Sequence, residues 1–248
     1  MRLTVTSVLC LLLGFVSLTD KAIAVPQLVI DQTEFDFGFA PQNSRISHTF
    51  HLQNTGSDTL IISKVIPGCG CTKVPLKKST LAPGEETEVE IIFSTGQYNG
   101  PVTKHPRLET NATPVSQNLA FRTTVTNRPD STFPILVKPY KLDISQFDQA
   151  ERNQMRFTIT NISDQQVSLI LVSGASELFS VTLPEKISAG KMGEGAVKLT
   201  DAALEQSFES SFTLQLSDSS LTRFTVPVKR TVQAPSASVS APSGTLLK

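Results

Sequence analysis

The chain has 248 residues and a formal net charge of zero, from 22 basic and 22 acidic side chains. A surface that binds nucleic-acid phosphates normally carries a basic excess, so this balance argues against a nucleic-acid partner. The 14 Phe, the lack of Trp and frequent Val, Ile and Thr favour a β-rich fold over a helical bundle.

Residues 1–24 have the pattern of a secretory signal peptide. Arg2 provides a basic start, residues 8–16 form a short apolar core, and Ala22 and Ala24 fit a small-x-small cleavage site. An apolar core of this length is too short to span a bilayer, which needs about twenty residues. We therefore expect cleavage after Ala24, export to the periplasm or cell surface, and a mature protein without a membrane span.

Short strands separated by turns are predicted along the first half of the mature chain. Residues 46–54 alternate between apolar and polar side chains, which is the period of a half-buried strand. The apolar run at residues 60–66 indicates a buried strand, and residues 88–93 alternate again after a Pro-Gly turn. Strands at such short intervals, with no helical periodicity between them, indicate an antiparallel β-sandwich.

The same pattern returns after an offset of 107 residues (157 − 50). Phe50 then aligns with Phe157 and Asn54 with Asn161, together with the strands and turns around them. Several matches at one ungapped offset indicate two copies of one structural unit. A polar, turn-rich stretch at residues 127–131 separates the copies.

The predicted fold class is therefore all-β, with two tandem immunoglobulin-like antiparallel β-sandwiches after a signal peptide. The tail is rich in Ala, Pro and Ser and has too little apolar content to offset its ordering entropy. The predicted ranges are a signal peptide at 1–24, a first sandwich at 25–129, a second sandwich at 130–232 and a disordered tail at 233–248.

Cys69 and Cys71 are the candidate site, because cleavage after Ala24 would remove Cys10 and leave them as the only thiols. An oxidising compartment favours disulfides. Three interpretations stay open: a functionally silent disulfide or buried thiol pair, a redox-active or intermolecularly bonded pair, and a soft-metal site. Two thiolates would suit Cu(I) in the last case, although the spacing alone is a weak signal.

A disulfide between these two cysteines would add little to the stability of the fold. Gly70 permits the bend that would bring their Cα atoms into the required range of roughly 4.4–6.8 Å. Loop-closure entropy extrapolates to only about 1.6 kcal/mol for so short a loop. At the 107-residue offset Cys69 falls on Ser176 and Cys71 on Leu178, so the second copy is expected to form without thiols.

Three histidines of the first copy, His48, His51 and His105, could complete a metal site. His48 shares the parity of core positions in its strand, whereas His51 has the opposite parity. Two side chains on opposite faces of a regular strand cannot reach one ligand, so we predict structural histidines, no metal and no cofactor.

No hydrolase elbow, phosphate loop or metalloprotease helix occurs in the sequence, which argues against these enzyme classes. Asn111 and Asn161 fit the N-glycosylation pattern, but both fall where a sandwich needs a turn. We therefore interpret them as turn residues.

Four motifs in order resemble a secreted bacterial family known as domain of unknown function 1573. The resemblance covers roughly residues 28–127, with Gly68 where the family tends to have Ser. It implies an immunoglobulin-like fold and an exported bacterial protein, and it implies no activity. The motifs are Phe-Asp-Phe-Gly at 35–38, a strand ending in Asn-Thr-Gly at 50–56, Cys-Gly-Cys-Thr at 69–72 and Pro-Gly-Glu at 83–85.

The sequence thus predicts an exported, non-enzymatic interaction or scaffolding module. Its expected partners are proteins of the cell envelope, reached by strand addition at exposed sheet edges. The alternative is a periplasmic thiol-redox or copper-binding protein that uses Cys69 and Cys71.

Overall fold

The computed structural model describes residues 24–128, 130–146, 152–174 and 177–233. The predicted signal peptide up to residue 23 and the predicted disordered tail after residue 233 lie outside these ranges. Ser176, the counterpart of Cys69 in the repeat, also lies outside them. Over the described ranges, no helix has the length and apolar character needed to cross a bilayer.

Alternating apolar side chains and frequent turn residues divide the first half of the chain into short strands. They are β1 (Leu28–Ile30), β2 (Glu34–Pro41), β3 (Arg45–Asn54), β4 (Leu60–Ile66), β5 (Thr72–Lys73), β6 (Thr80–Leu81), β7 (Glu86–Ser94), β8 (Gly100–Lys104), β9 (Arg107–Thr110), β10 (Ser116–Asn118) and β11 (Ala120–Thr126).

The second half of the chain is likewise divided into short strands, and it also contains a short 3₁₀ helix at Asp201–Ala203. Its strands are β12 (Ile135–Lys138), β13 (Leu142–Asp143), β14 (Gln154–Asn161), β15 (Val167–Gly174), β16 (Phe179–Thr182), β17 (Lys186–Ile187), β18 (Met192–Leu199), β19 (Phe208–Leu216) and β20 (Arg223–Arg230).

The strands form two β-sandwiches, as predicted. The first contains sheets of order β1-β3-β7-β5 and β10-β9-β4-β6, and the second contains a sheet of order β12-β14-β18-β16. A longer sheet of order β17-β15-β19-β20-β2-β11-β8 runs through both sandwiches, with β13 paired to β20. One sheet is therefore common to the two halves of the molecule.

Some strand pairs are parallel, which the prediction of antiparallel sandwiches did not include. Strand β2 pairs in parallel with β11, placing Phe35 opposite Phe121. Strand β13 pairs in parallel with β20, placing Leu142 opposite Val228. A parallel pair needs a long connection, and in each sandwich most of the unit lies between the paired strands. The 107-residue offset maps Phe35 onto Leu142, so both halves repeat this arrangement.

Buried apolar side chains form two clusters, one in each sandwich. Strand β4 differs from its prediction as a fully buried strand. Leu60 and Ile62 are buried, whereas Ile61 between them is 45% exposed. Successive side chains of a strand point to opposite faces, and only one face of β4 meets the core. The strand is therefore half-buried.

Asn54 and Asn161 occupy equivalent places in the two sandwiches, and both are fully buried. The Nδ2 of Asn54 donates to the carbonyl oxygens of Asp58 and Leu81, at 2.8 and 3.0 Å. The Nδ2 of Asn161 makes the equivalent bonds, donating to the carbonyl oxygens of Gln165 and of Ile187 in β17, at 2.7 and 3.0 Å. Asn111 likewise hydrogen-bonds to backbone groups on either side of Leu60. These contacts support the interpretation of both glycosylation-pattern residues as turn residues.

The sandwiches meet where β2 pairs with β20. Phe39 lies opposite Phe224 in this parallel pair, and their ring centroids are 5.3 Å apart. Gly38 has φ +63°, and a Cβ atom there would lie 2.0 Å from the carbonyl oxygen of Arg223. The glycine of the Phe-Asp-Phe-Gly motif thus permits both a left-handed backbone and the close approach of β20.

Polar groups buried at this junction are hydrogen-bonded across it. The Ser47 N–H donates to the Ser211 hydroxyl at 2.9 Å. The Thr225 hydroxyl donates to the Phe37 carbonyl oxygen at 2.6 Å, and the Tyr140 hydroxyl donates to the carbonyl oxygen of Phe39 at 2.7 Å. Buried polar groups are costly to leave unpaired, so these bonds fix how the two sandwiches sit against each other.

Candidate functional site

The Cys-Gly-Cys loop connects β4 to β5 at the edge of the first sandwich. The Thr72 N–H donates to the Cys69 carbonyl oxygen at 3.3 Å, and the Ser94 N–H of β7 donates to the Cys71 carbonyl oxygen at 2.8 Å. The two sulfurs are bonded as a disulfide, with Cα atoms 5.3 Å apart. Apart from its two chain neighbours, no described residue comes within 4 Å of where a Gly70 Cβ would be, so the loop has open space at its tip.

Hydroxyl groups surround the disulfide. The Tyr98 hydroxyl lies 3.7 Å from the Cys71 Sγ, and the Lys104 Nζ donates to the Tyr98 oxygen at 3.4 Å. The hydroxyl of the buried Thr72 lies 3.3 Å from the Cys69 Sγ and 3.9 Å from the Cys71 Sγ. Cys71 is half-buried and packs against the first core. The pair therefore has a polar side, on which donors face sulfur, and an apolar side.

The three histidines do not come together around this loop. The His105 backbone borders it, because its carbonyl oxygen would lie 3.1 Å from a Cβ at Gly68, but the residue is exposed. His48 lies at the junction instead. In the part of the chain that the structure describes, no three His, Cys, Asp or Glu side chains gather as a metal site would require. A Cu(I) ion at the cysteines would first require reduction of their disulfide.

His48 is buried at the junction, as its parity in β3 predicted. Its ring stacks on Phe35 with centroids 3.5 Å apart and meets the edge of Phe50 at 4.8 Å. The Nε2 lies 2.8 Å from the Gln32 amide nitrogen, and the Nδ1 lies 2.9 Å from the Ser173 hydroxyl. An amide nitrogen can only donate, so Nε2 accepts and Nδ1–H donates to Ser173.

Burial, together with charge repulsion from the nearby His51 and Arg223, lowers the pKa of His48 from its ordinary value of 6.5 to about 3. The imidazole is therefore neutral near neutral pH. It acts as a structural hydrogen-bonding group, which agrees with the interpretation of His48 as a structural histidine.

A cleft of about 400 Å³ lies beside His48, between the two sandwiches. The exposed His51 borders the same cleft. His48 and His51 both belong to β3, which forms part of one wall of the cleft. Burial raises the pKa of Glu90 in this wall, although a hydrogen bond from Ser47 opposes the shift. The opposite wall comes from the end of β15, at residues 171–174.

The first sandwich matches the family that its motifs resemble. Residues 28–125 match the model of the family described as "Protein of unknown function (DUF1573)". The predicted resemblance is therefore confirmed for the first sandwich. The matched range contains both the Cys-Gly-Cys loop and the first wall of the cleft.

The solved structures that match this chain include proteins of several bacteria, and no curated protein gives a significant match. A protein of unknown function from Porphyromonas gingivalis has a TM-score of 0.33 and 14% identity, covering 82% of this chain and 99% of its own. The E. coli chaperone DraB has a TM-score of 0.33 and 12% identity, covering 82% and 98%. The Vibrio cholerae VesB protease has a TM-score of 0.34 and 22% identity, covering 40% and 32%.

The cleft was missed at the level of sequence, because its two walls are at least 81 residues apart along the chain (171 − 90). Two signals could have pointed to it. Gly38 interrupts an otherwise aromatic strand, and Ser210 and Ser211 stand inside the apolar strand β19 where both are buried. Small or polar residues inside strands often mark a close backbone approach or a buried hydrogen bond.

Proposed function

We propose that this protein is an exported, non-enzymatic interaction module that binds an extended segment of a partner protein in the cleft between its two sandwiches. The observation that carries this proposal is the outer edge of β15. Its first two residues pair with β17, and within the described ranges no ladder covers this edge from residue 170 to residue 174. The signal-peptide pattern of residues 1–24 supports export.

An unpaired strand edge offers a row of backbone donors and acceptors to another chain. The exposed end of β15 also presents apolar side chains, since Ile170 is 56% and Leu171 is 45% exposed. An added strand would pair with the backbone and cover these side chains, which is the mode of recognition called strand addition.

The junction favours such binding because it holds both walls in place. Ser47, Phe37 and Phe39 in the first sandwich are tied by buried hydrogen bonds to the second. Association is weakened when loops or domains must become ordered on binding. The two walls belong to different sheets, but these bonds already hold them together before a ligand binds, so binding avoids most of that cost.

Charge narrows the class of partner. Asp31 and Glu90 border the cleft, and Glu88 and Glu177 border an adjoining one beside Lys77. Carboxylates outnumber cations on this surface. The proposed ligand is therefore an extended, apolar segment with at least one basic side chain, since charge complementarity suppresses wrong partners.

Affinity purification from the native envelope tests this proposal. We compare the wild-type protein with Leu171→Lys, which places a cation on the open edge, and with Met192→Lys as a control. Met192 is 71% exposed on β18 and gives the same change of charge away from the cleft. A partner retained by wild type and Met192→Lys but lost from Leu171→Lys supports the proposal. Equal retention by all three proteins contradicts it.

A further inference from the structure

We propose that Cys69 and Cys71 form a thiol–disulfide exchange site with a fixed polarity. A thiolate of a partner dithiol attacks the Cys69 sulfur, and Cys71 is released as the leaving thiolate. This inference goes beyond the cleft-binding function and does not depend on it, because the cysteines lie outside the cleft.

The surroundings of the two sulfurs differ. Cys71 packs against the first core, and its carbonyl oxygen is held by the Ser94 N–H of β7. Cys69 lies on the side of the loop that leads out of β4, and both cysteines are half-buried. Of the two, Cys71 is the one that packs against the core, so we infer that Cys71 stays in place when the bond opens and that Cys69 is the sulfur attacked.

Hydrogen-bond donors lie where they can stabilise a thiolate at Cys71. The Tyr98 hydroxyl lies 3.7 Å from the Cys71 Sγ and can donate to it. The Lys104 ammonium lies 3.4 Å from the same hydroxyl and 5.2 Å from the centroid of the Tyr98 ring. A phenol that accepts a hydrogen bond from a cation becomes a stronger donor to its own acceptor.

These contacts bear directly on the exchange rate. Exchange is faster when the leaving thiol has a low pKa, and a nearby cation or hydrogen-bond donor lowers a thiol pKa. The Thr72 hydroxyl lies 3.3 Å from the Cys69 Sγ and 3.9 Å from the Cys71 Sγ, so this uncharged donor alone would favour a thiolate at Cys69. The Lys104 cation behind the Tyr98 hydroxyl acts in the opposite direction, towards Cys71. We therefore assign the preference for Cys71 as the leaving thiolate to Tyr98 and Lys104.

The reaction balances as two successive substitutions. In the first, the partner thiolate forms a bond to the Cys69 sulfur, and the electron pair of the disulfide bond moves to Cys71. In the second, another thiolate of the partner attacks its own sulfur in the mixed disulfide and releases Cys69 as a thiolate. The partner dithiol is oxidised by two electrons, and the protein disulfide is reduced by the same two.

Trapping of the first step tests the polarity. The oxidised full-length protein is mixed with a limited amount of reduced glutathione, quenched with acid, alkylated, and mapped by fragmentation mass spectrometry. We expect glutathione on Cys69 and the alkyl group on Cys71, while Cys10 falls on a separate peptide. Glutathione mainly on Cys71 overturns the proposal. So does a disulfide that reacts only after the protein is denatured.

A second measurement tests the role of Tyr98 and Lys104. In Cys69→Ser the pH dependence of alkylation reports the thiol pKa of Cys71. We expect a pKa below the ordinary value of about 8.5. Tyr98→Phe or Lys104→Met should raise it, and the remote charge control Lys138→Met should leave it unchanged. Tyr98→Phe keeps the ring that packs against Phe93. Equal pKa values in all variants contradict the assigned roles.

Discussion

The His48 imidazole of β3 donates from Nδ1 to the Ser173 hydroxyl of β15, 2.9 Å away. These residues belong to different sandwiches and face each other across one end of the cleft. Gln32 donates to Nε2 and thereby selects the neutral tautomer that carries its hydrogen on Nδ1. Protonation would turn Nε2 into a second donor, which would break the Gln32 contact and place a charge on a buried ring at the junction.

Stability should fall in acid because of His48. Burial lowers its pKa to about 3 in the folded state, against 6.5 when it is unperturbed. Below pH 6.5 the unfolded chain binds a proton that the folded protein does not. The free energy of unfolding should therefore decrease by about 1.4 kcal/mol per pH unit from this one group, as pH falls from about 6.5 towards 3. Urea denaturation at several pH values measures this slope.

Two variants isolate the contribution of His48. His48→Gln keeps hydrogen-bonding groups but cannot titrate, so its stability should decline less steeply below pH 6.5. His51→Gln removes an exposed imidazole nearby and should keep nearly the wild-type slope. The same pH slope in wild type and His48→Gln would refute the assignment.

Gly38→Ala should destabilise the junction. A side chain at φ +63° costs about 1–2 kcal/mol, and the contact at 2.0 Å with Arg223 forces β20 to move. Gly84→Ala is the matched control, because Gly84 has φ +81° but no atom within 4 Å of its added Cβ. We expect Gly38→Ala to lose about 1–3 kcal/mol more than Gly84→Ala in chemical denaturation. Equal losses would show that β20 does not pack closely on β2.

Asn54→Ala and Asn161→Ala should have similar effects in their own sandwiches. Each change leaves two backbone carbonyl groups without their side-chain donor, one of them in a buried bond, which costs about 1–3 kcal/mol. Thermal denaturation of each variant measures the loss, with the exposed Asn111→Ala as a control. A strong effect of one variant and none of the other would contradict the equivalence of the two turns.

Replacing Cys69 and Cys71 together by Ser should leave the first sandwich folded. The loop-closure gain extrapolates to about 1.6 kcal/mol, which is small beside a domain stability of roughly 5–15 kcal/mol. We expect a decrease of only a few degrees in melting temperature. Cooperative loss of the first sandwich in this variant would show that the disulfide is structural.

Much of the fold follows from local sequence patterns. The alternation at residues 46–54 predicted β3, observed at Arg45–Asn54, and the apolar run at 60–66 matches β4. These elements are predictable because a period of two records which side chains face a core. The 107-residue repeat also placed Asn54 and Asn161 at equivalent turns.

The junction could not be predicted in the same way. Local periodicity shows that a strand exists but not which distant strand it joins, and Phe39 meets Phe224 from the other end of the chain. The burial of His48 was predictable from its parity, whereas its partner Ser173 was not. Likewise the sequence identified the cysteine pair, while Tyr98 reaches Cys71 only through the fold.

Site-specific photo-crosslinking in cells tests the central claim most directly. A photoreactive residue replaces Leu171 at the cleft or, as a control, the exposed Met192 on β18. The account predicts a covalent adduct with one partner protein at position 171, none at position 192, and loss of the adduct in Gly38→Ala but not in Gly84→Ala. Adducts of equal yield at both positions, or an adduct at 171 that Gly38→Ala leaves unchanged, would contradict a partner site formed by the two joined sandwiches.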